Sequence, residues 1–405
     1  MEENVFKYDI IIVGLQPWDI ALGSNCVDIA KVFSKTCRVL YVNRPSDRRS
    51  ELKRLFGGNS SNLLDKKLKG YQLSYVQTNI WVLDTGLILE SINLFKGSLF
   101  NYLLKRNCKK LAVSIKHAIT DLGFNNYLLF NDNDFFQGQY LKEELSPRLY
   151  IYYLRDYLIN QPYFRRNGSI MERQLLKKAD LIFTNSNYLQ RYAAAYNNSS
   201  FYIGQGCNLN ITSTNENNVE LKELVKIQKP IIGYVGNLVT LRLDLSLLEK
   251  VASIRKELSW VFVGPLDEGF AKSELMKLSN VVFTGQKSQD DLPLYISSFD
   301  ICINPQLLNE TTVGNYPRKI DEYMLFGKPV VARKTEFTQE LGDLIYLYEN
   351  EDEFLKSLDS ALSEDSTSVK IQERKTIASS HTWENSVQQL FDKLETFEKL
   401  KQDAA

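Results

Sequence analysis

Short apolar runs rich in Val, Ile, Tyr and Phe alternate along the chain with stretches in which apolar residues recur every three or four positions. The first pattern predicts buried strands and the second amphipathic helices. In the N-terminal half the predicted strands are Tyr8–Val13, Arg38–Val42, Tyr127–Phe130, Leu149–Tyr153 and Leu181–Thr184. Helices are predicted at Ser24–Ser34, near Asn93–Leu122 and at Asn187–Tyr196. The segment Thr212–Val219 is polar and aperiodic, as a linker is. A second series follows Pro230, with strands at Ile231–Val235, Trp260–Val263, Val281–Thr284, Ile301–Asn304, Val330–Ala332 and Leu344–Leu347. Asp244 is placed to cap a helix carrying Leu245, Leu248, Ala252 and Arg255. Strand and helix in alternation predict an α/β chain with mostly parallel sheets. The expected division is 1–212, a linker at 213–229, a second domain at 230–382, and a final helix at 383–405 that crosses back to the first.

Composition leaves this picture standing. A chain of 405 residues with 44% hydrophobic and 24% charged content has room for two globular domains. Five cysteines without paired spacing (Cys26, Cys37, Cys108, Cys207, Cys302) read as reduced, buried thiols. The Met-Glu-Glu start has no basic n-region before an apolar run, and no stretch approaches 18 apolar residues. The expectation is a cytoplasmic protein, soluble or peripheral at a membrane.

Charge adds something. The net charge is zero, yet residues 1–210 hold 27 Lys and Arg against 18 Asp and Glu. Within 35–110 the figures are 15 and 5, including Arg44, Arg48, Arg49, Lys53, Arg54, Lys66, Lys67, Lys69, Lys105, Arg106, Lys109 and Lys110. An anionic partner for this half is expected. Nucleic acid is disfavoured, because no compact recognition motif accompanies the charge. Leu55, Phe56, Leu94, Phe95, Leu99, Phe100, Tyr102, Leu103 and Leu104 lie among these cations. Apolar and basic residues together suit an interfacial helix at an anionic membrane surface, with a core-facing helix carrying a solvated basic face as the competing account.

The richest stretch for chemistry runs from Asn315 to Ala332. Pro317 opens a predicted short helix, Gly327 closes it, and a strand follows. Arg318 and Lys319 fall in the first turn, where the helix dipole is positive and cations are disfavoured by roughly 0.3–1 kcal/mol each. Positive charge gathered there points to a bound anion. Glu322, one turn deeper, is spaced to reach a hydroxyl attached to that anion. Solvated cations with a surface Glu partner are the competing account.

Ligands of open α/β sheets bind beyond the carboxyl ends of strands. Gly236 follows the first strand of the second series, and Arg242 lies in the same loop as a candidate phosphate contact. Gly264 and Gly285 end the next two strands. In the first half, Gly14 and Trp18 follow strand one, and Gly23 and Ser24 precede a helix, an arrangement suited to an anion. Trp18 is placed to stack on a ligand ring or to pack in the core or between domains. Asp132 and Asp156 end two further strands and are the carboxylates placed for acid–base work; Asp132 and Asp134 equally suit capping. His117 and His381 follow no first-half strand.

The string Pro317-x-Lys319-x-x-Glu322-Tyr323-x-x-x-Gly327-Lys328-Pro329-Val330-Val331 resembles the donor-binding signature of GT-B glycosyltransferases grouped around glycosyltransferase family 4. Phe283-Thr284-Gly285, Asp291–Tyr295 and Phe299-Asp300 extend the likeness over about 100 residues, Ile231 to Ala332. The resemblance implies a GT-B architecture, with two Rossmann-like domains facing a cleft. It implies that Glu322 binds the ribose hydroxyls, that Lys319 and Arg242 face the diphosphate, and that the turns at Gly264 and Gly285 hold the base. Gly14 and its neighbours would lie between acceptor and donor phosphate. Val13–Asp19, Gly23–Asn25, Asn131–Asp134 and Gly204–Cys207 resemble the narrower group serving teichuronic-acid and capsular polysaccharide synthesis, whose acceptor is a glycan on a lipid carrier. The family's further acid, eight positions before the ribose-binding Glu, is replaced by Gly314, with Glu310 off register, so stereochemistry stays open.

The expected function is transfer of a sugar from a UDP- or GDP-type nucleoside diphosphate to a glycan or lipid-linked acceptor, with no cofactor. No metal is implied, since no DxD follows a second-half strand. A sugar-nucleotide epimerase on the same scaffold is the alternative. A dinucleotide-dependent oxidoreductase lacks its GxGxxG, because Gly14 is followed by Leu-Gln-Pro-Trp.

Overall fold

Residues 7–20, 24–56, 70–207, 221, 223–310, 312–365 and 367–403 are described by the computed structural model. Gly23, Lys66, Lys67, Lys69 and much of the predicted linker (213–220 and 222) lie outside the described residues, as do the side chains of Arg54, Leu55 and Phe56. The chain divides into two units, Met1–Ile203 with Val387–Ala405, and Gly204–Ser386.

The first unit is built on β1 (Asp9–Gly14), β2 (Arg38–Val42), β3 (Ser46–Asp47), β4 (Gln72–Gln77), β5 (Ile80–Asp84), β6 (Ile88–Leu89), β7 (Leu128–Asp132), β8 (Leu149–Leu154), β9 (Leu181–Thr184) and β10 (Ser200–Tyr202). β3 pairs with β6, and the others form one sheet in the order β10-β9-β8-β7-β1-β2-β5-β4. Its strands pair in parallel except for the β4–β5 hairpin. Ile10, Ile11 and Ile12 are all buried, as a central parallel strand covered on both faces requires. The hairpin is absent from the sequence reading because β4, Gln-Leu-Ser-Tyr-Val-Gln, is a half-exposed edge strand with little apolar signal. Strand order reverses between β1 and β7, where Gly14 pairs with Asp132.

The second unit holds β11 (Ile231–Val235), β12 (Ser259–Val263), β13 (Val281–Gly285), β14 (Ile301–Asn304), β15 (Val330–Arg333) and β16 (Tyr346–Tyr348). All are parallel, in the order β13-β12-β11-β14-β15-β16. This is the doubly wound order 3-2-1-4-5-6, whose switch point lies between β11 and β14. Apolar cores cover both faces, one around Ile320, Tyr323 and Met324, the other around Leu248, Val251 and Trp260.

The last helix, Trp383–Asp403, joins the first unit from Val387 onward. Leu390, Phe391 and Leu394 are buried, with Phe391 against Tyr8 and Phe33. Lys7 reaches Glu395 at 2.6 Å and Arg148 reaches Glu398 at 2.5 Å. The long helix expected near Asn93 begins instead at Gly97, because Phe95 and Lys96 are extended. The sixth strand of the second unit starts at Tyr346 rather than Leu344, since Gly342–Leu344 forms a tight turn of helix.

Candidate active site

In the second unit the predicted short helix spans Lys319–Leu325. Pro317 is not its first residue: Arg318 is the cap, and the Pro317 carbonyl accepts from Ile320 N–H at 2.9 Å in a tighter turn before the α-ladder starts. The other end is as expected. Gly327 has φ of +70°, its N–H reaches the Met324 carbonyl at 2.8 Å, and Lys328 N–H reaches the Tyr323 carbonyl at 3.2 Å, which is a Schellman stop.

The helix is pinned to β11 by Tyr323, whose hydroxyl accepts from Val235 N–H at 2.8 Å. That anchor sends Lys319 to the carboxyl end of the strand. Its ammonium donates to the Tyr234 hydroxyl at 2.5 Å and lies 4.2 Å from the centre of the Tyr234 ring. A Cβ on Gly236 would stand 2.9 Å from the Lys319 nitrogen, and the backbone there, with φ of +139°, is one that favours glycine. Glu322 is buried and pairs with Arg318, Nε to Oε1 at 3.0 Å.

Three glycines end neighbouring strands. Gly236 N–H donates to the Val263 carbonyl and Gly264 N–H to the Gly285 carbonyl, each at 2.9 Å. Gly236 and Gly264 have φ of +139° and +143°, a region closed to L side chains. A Cβ on Gly264 would also strike the Gly236 carbonyl. The loop 238–244 is tied across the switch point, with Asp244 N–H on the Pro305 carbonyl and Leu307 N–H on the Arg242 carbonyl. Asp244 caps the helix Leu245–Ile254 as predicted. Arg242 is exposed beside this junction and makes no ion pair among the described residues.

Behind the helix lies a set not anticipated from sequence. Asp321, fully buried, accepts from the Tyr316 hydroxyl at 2.5 Å and meets His381 Nδ1 at 2.8 Å. The hydrogen bond to Asp321 raises the pKa of His381 above its ordinary value. The same segment bonds back through Cys207 N–H to the His381 carbonyl at 2.9 Å.

In the first unit, Gly14 lets β1 run close to Asp132, which a Cβ would approach to 2.9 Å. Trp18 is half-buried with its ring edge-on to Tyr41, and its backbone N–H donates to Asn43 Oδ1 at 2.8 Å. The Ser24 hydroxyl is buried at the start of the helix Asn25–Phe33 and has no hydrogen-bond partner among the described residues. Asp132 is fully buried and held by Arg155, with Nε at 2.7 Å and Nη2 at 3.1 Å. Arg155 Nη1 reaches Asp156 at 2.8 Å, and Asp156 keeps 26% of its side chain exposed. Asp134 caps its own turn, accepting from Phe136 and Gln137 N–H, with Arg44 Nε 3.7 Å from its other oxygen. Among the described residues, no group of three or more His, Cys, Asp or Glu is placed to hold a metal ion.

Residues 229–364 match the family described as glycosyl transferases group 1. The second unit is a group 1 glycosyltransferase domain. Over the whole chain the fold is GT-B. Sucrose-phosphate synthase from Thermosynechococcus elongatus superposes with a TM-score of 0.67 at 15% identity, over 96% of this chain and 99% of its own. HepE of Anabaena, solved in complex with UDP-glucose, gives 0.65 at 16% identity over 96% and 100%. The trehalose-phosphate synthase of Burkholderia vietnamiensis gives 0.69 at 10% identity over 96% and 100%. In sequence, the chain is 23% identical over 222 residues to TuaH of Bacillus subtilis (strain 168), whose name proposes a glycosyltransferase of teichuronic acid biosynthesis. The match takes in 52% of this chain and 56% of TuaH, so the chain spans about half the length of that relative.

Within the glycosyltransferase domain, the structure brings Gly236, Gly264, Gly285 and Lys319 to one end of the sheet, with Arg318, Glu322 and Arg242 on the segments around them. Sequence reading missed Tyr234, Asp321 and His381 there, and Arg155 in the first unit. Asp321 left a signal: an acid among Ile320, Tyr323 and Met324 on a short apolar helix is buried only with partners. Tyr234 left none, since its role depends on a lysine 85 residues away.

Proposed function

We propose that the chain transfers a sugar from a nucleoside diphosphate of UDP or GDP type to a glycan or lipid-linked acceptor in bacterial surface polysaccharide synthesis. The observation that carries this reading is the Lys319 ammonium at Gly236, beyond the carboxyl end of β11, on a helix whose next turn presents Glu322. Lys319 and Arg242 would offset the charge that builds on the departing diphosphate, which is the main electrostatic demand of such a transfer. Glu322 would accept from the ribose hydroxyls, and the backbone at Gly264 and Gly285 would meet the base. Pro317 sets the turn that aims Arg318 and Lys319. HepE, whose crystals hold UDP-glucose, supports the donor class by likeness, and TuaH, named for teichuronic acid biosynthesis, supports the polysaccharide role in the same way.

On the acceptor side, Asp156 is the carboxylate open enough to take a hydroxyl proton. Asp132, buried and doubly bonded to Arg155, acts through that arginine and not on substrate directly. Gly14 ends the strand beside Asp132, Trp18 follows in the next loop, and the Ser24 hydroxyl, without a partner among the described residues, suits an anion or sugar oxygen. A lipid-borne acceptor would bring the chain to the inner face of a membrane as a peripheral protein. No described helix is long and apolar enough to cross one.

The test is a thermal-shift panel with UDP, GDP, dTDP, CMP and NAD on the wild type, Lys319→Ala and Glu322→Ala. A ligand at about 100 times its Kd stabilises by about 2.7 kcal/mol, a visible shift. One nucleoside diphosphate is expected to shift the wild type and neither variant. A response to NAD alone, or one indifferent to both substitutions, refutes the site.

A further inference from the structure

The structure assigns a docking face for an anionic lipid bilayer to one surface of the first unit, formed by residues 92–106 and 163–170. This rests on the lipid-linked acceptor proposed above and adds the surface that meets the lipid.

Leu94, Phe95, Leu99, Tyr102, Tyr163 and Ile170 are 52%, 36%, 49%, 65%, 50% and 58% exposed. Single exposed apolar residues need no explanation, but six on adjoining segments do. The segments are fastened together. Arg166 Nη1 donates to the carbonyls of Asn93 and Leu94 at 3.2 and 3.3 Å, and Asn167 Nδ2 donates to that of Phe95 at 3.2 Å. Asn93 Nδ2 donates to the Tyr163 carbonyl at 2.9 Å. The carbonyls of this loop therefore already have donors. That lowers the cost of taking Leu94 and Phe95 out of water, since unpaired backbone groups are what apolar surroundings penalise.

The helix Gly97–Leu122 has two faces. Phe100, Leu104, Cys108, Leu111 and Ile115 are buried. Leu99, Tyr102, Arg106, Lys109 and Val113 follow the three-and-four spacing of the opposite stripe, and all five are exposed. Lys96, Lys105, Arg165 and Arg166 are exposed on the same segments. The nearby acid Glu90 is 16% exposed and already faces Arg48 and Arg106. Apolar tips inside a cationic rim match an interface between acyl chains and anionic headgroups. The charge decides between occupants. A second copy meeting this face symmetrically would set the cationic rim against itself, which is repulsive. Nucleic acid would answer the cations and leave the apolar tips unexplained.

The test is sedimentation of the full chain with vesicles of phosphatidylcholine alone and with 30% phosphatidylglycerol. The expected result is binding to the anionic vesicles at least tenfold tighter than to the neutral ones. Lys96→Glu, Lys105→Glu and Arg165→Glu together should weaken it by roughly fivefold or more per cation lost. Leu94→Ser, Leu99→Ser and Tyr102→Ser together should weaken it at least tenfold without changing the melting point. Equal binding to both vesicle types, or anionic binding that survives either triple variant, overturns the assignment. So does a wild-type dimer that both triple variants disperse. The nucleotide panel is run on the same proteins. A patch variant that loses vesicles but keeps its nucleotide shift separates the two proposals, and a wild type that binds vesicles and no nucleotide leaves the docking face standing while the transferase reading falls.

Discussion

Buried titratable side chains show how single residues trade stability for position. Glu172 is fully buried, with the Tyr192 hydroxyl donating to it at 2.9 Å, and burial pushes its pKa up to about 7. A carboxyl whose pKa is higher folded than unfolded holds its proton more tightly in the native state. Its stabilising share is therefore present below about 4.5 and is lost as pH rises through about 7. Full ionisation costs roughly 3 kcal/mol at most on this basis. Glu172→Gln keeps a hydrogen-bond acceptor and removes the titration. Chemical denaturation from pH 4.5 to 8 should show wild-type stability falling more steeply across that window than the variant's, which keeps the slope that the raised His381 contributes. Parallel curves would place the titrating group elsewhere. Asp132 and Asp321 show the complementary case, in which a fully buried carboxyl is surrounded by hydrogen-bond partners. Such partners come from distant segments, so neither pairing was legible locally.

At the scale of elements, the donor-side site is a junction of strand ends. The tight approach of Gly236, Gly264 and Gly285 depends on backbone that only glycine adopts readily, and it places N–H groups and the Lys319 nitrogen at one edge. Gly264→Ala would force an L residue to φ near +143° and push its Cβ into the Gly236 carbonyl. The expected cost is roughly 1–3 kcal/mol in melting stability. Loss of the nucleoside-diphosphate shift should accompany it. An unchanged melting point with full nucleotide response would show that the turn tolerates a side chain. These glycines were readable from sequence because each closes an apolar run. That they form one ladder was not, because it requires β11, β12 and β13 to lie side by side in register.

The whole molecule is two units with separate cores, and the last helix belongs to the first of them. Leu394 is fully buried on that helix, 380 residues in sequence from the strand β1 that opens the unit. Leu394→Ala should cost roughly 2–5 kcal/mol. In calorimetry with and without a nucleoside diphosphate, the loss is expected in the transition that the ligand does not move. A single transition that falls and is still raised by ligand would show that the two units unfold together. The uneven charge belongs to this scale as well. The surplus of cations was visible in the composition, but Phe100 and Leu104 turn inward while Leu94, Leu99 and Tyr102 turn outward. Arg165, Arg166, Tyr163 and Ile170 join the same face from a segment 70 residues on.

From its residues alone the chain determined its alternating strands and helices, its mostly parallel sheets, the glycine stop at Gly327, and the spacing of Lys319 and Glu322 on one short helix. Those features rest on period, turn chemistry and backbone freedom, which act within a few residues. Tertiary structure decided the strand orders, the β4–β5 hairpin, the meeting of Lys319 with Tyr234, the Asp321–His381 pair and the surface that Leu94 shares with Tyr163. Each of these depends on which distant segments the core brings together. Burial is a property of that assembly, and no local run of residues contains it.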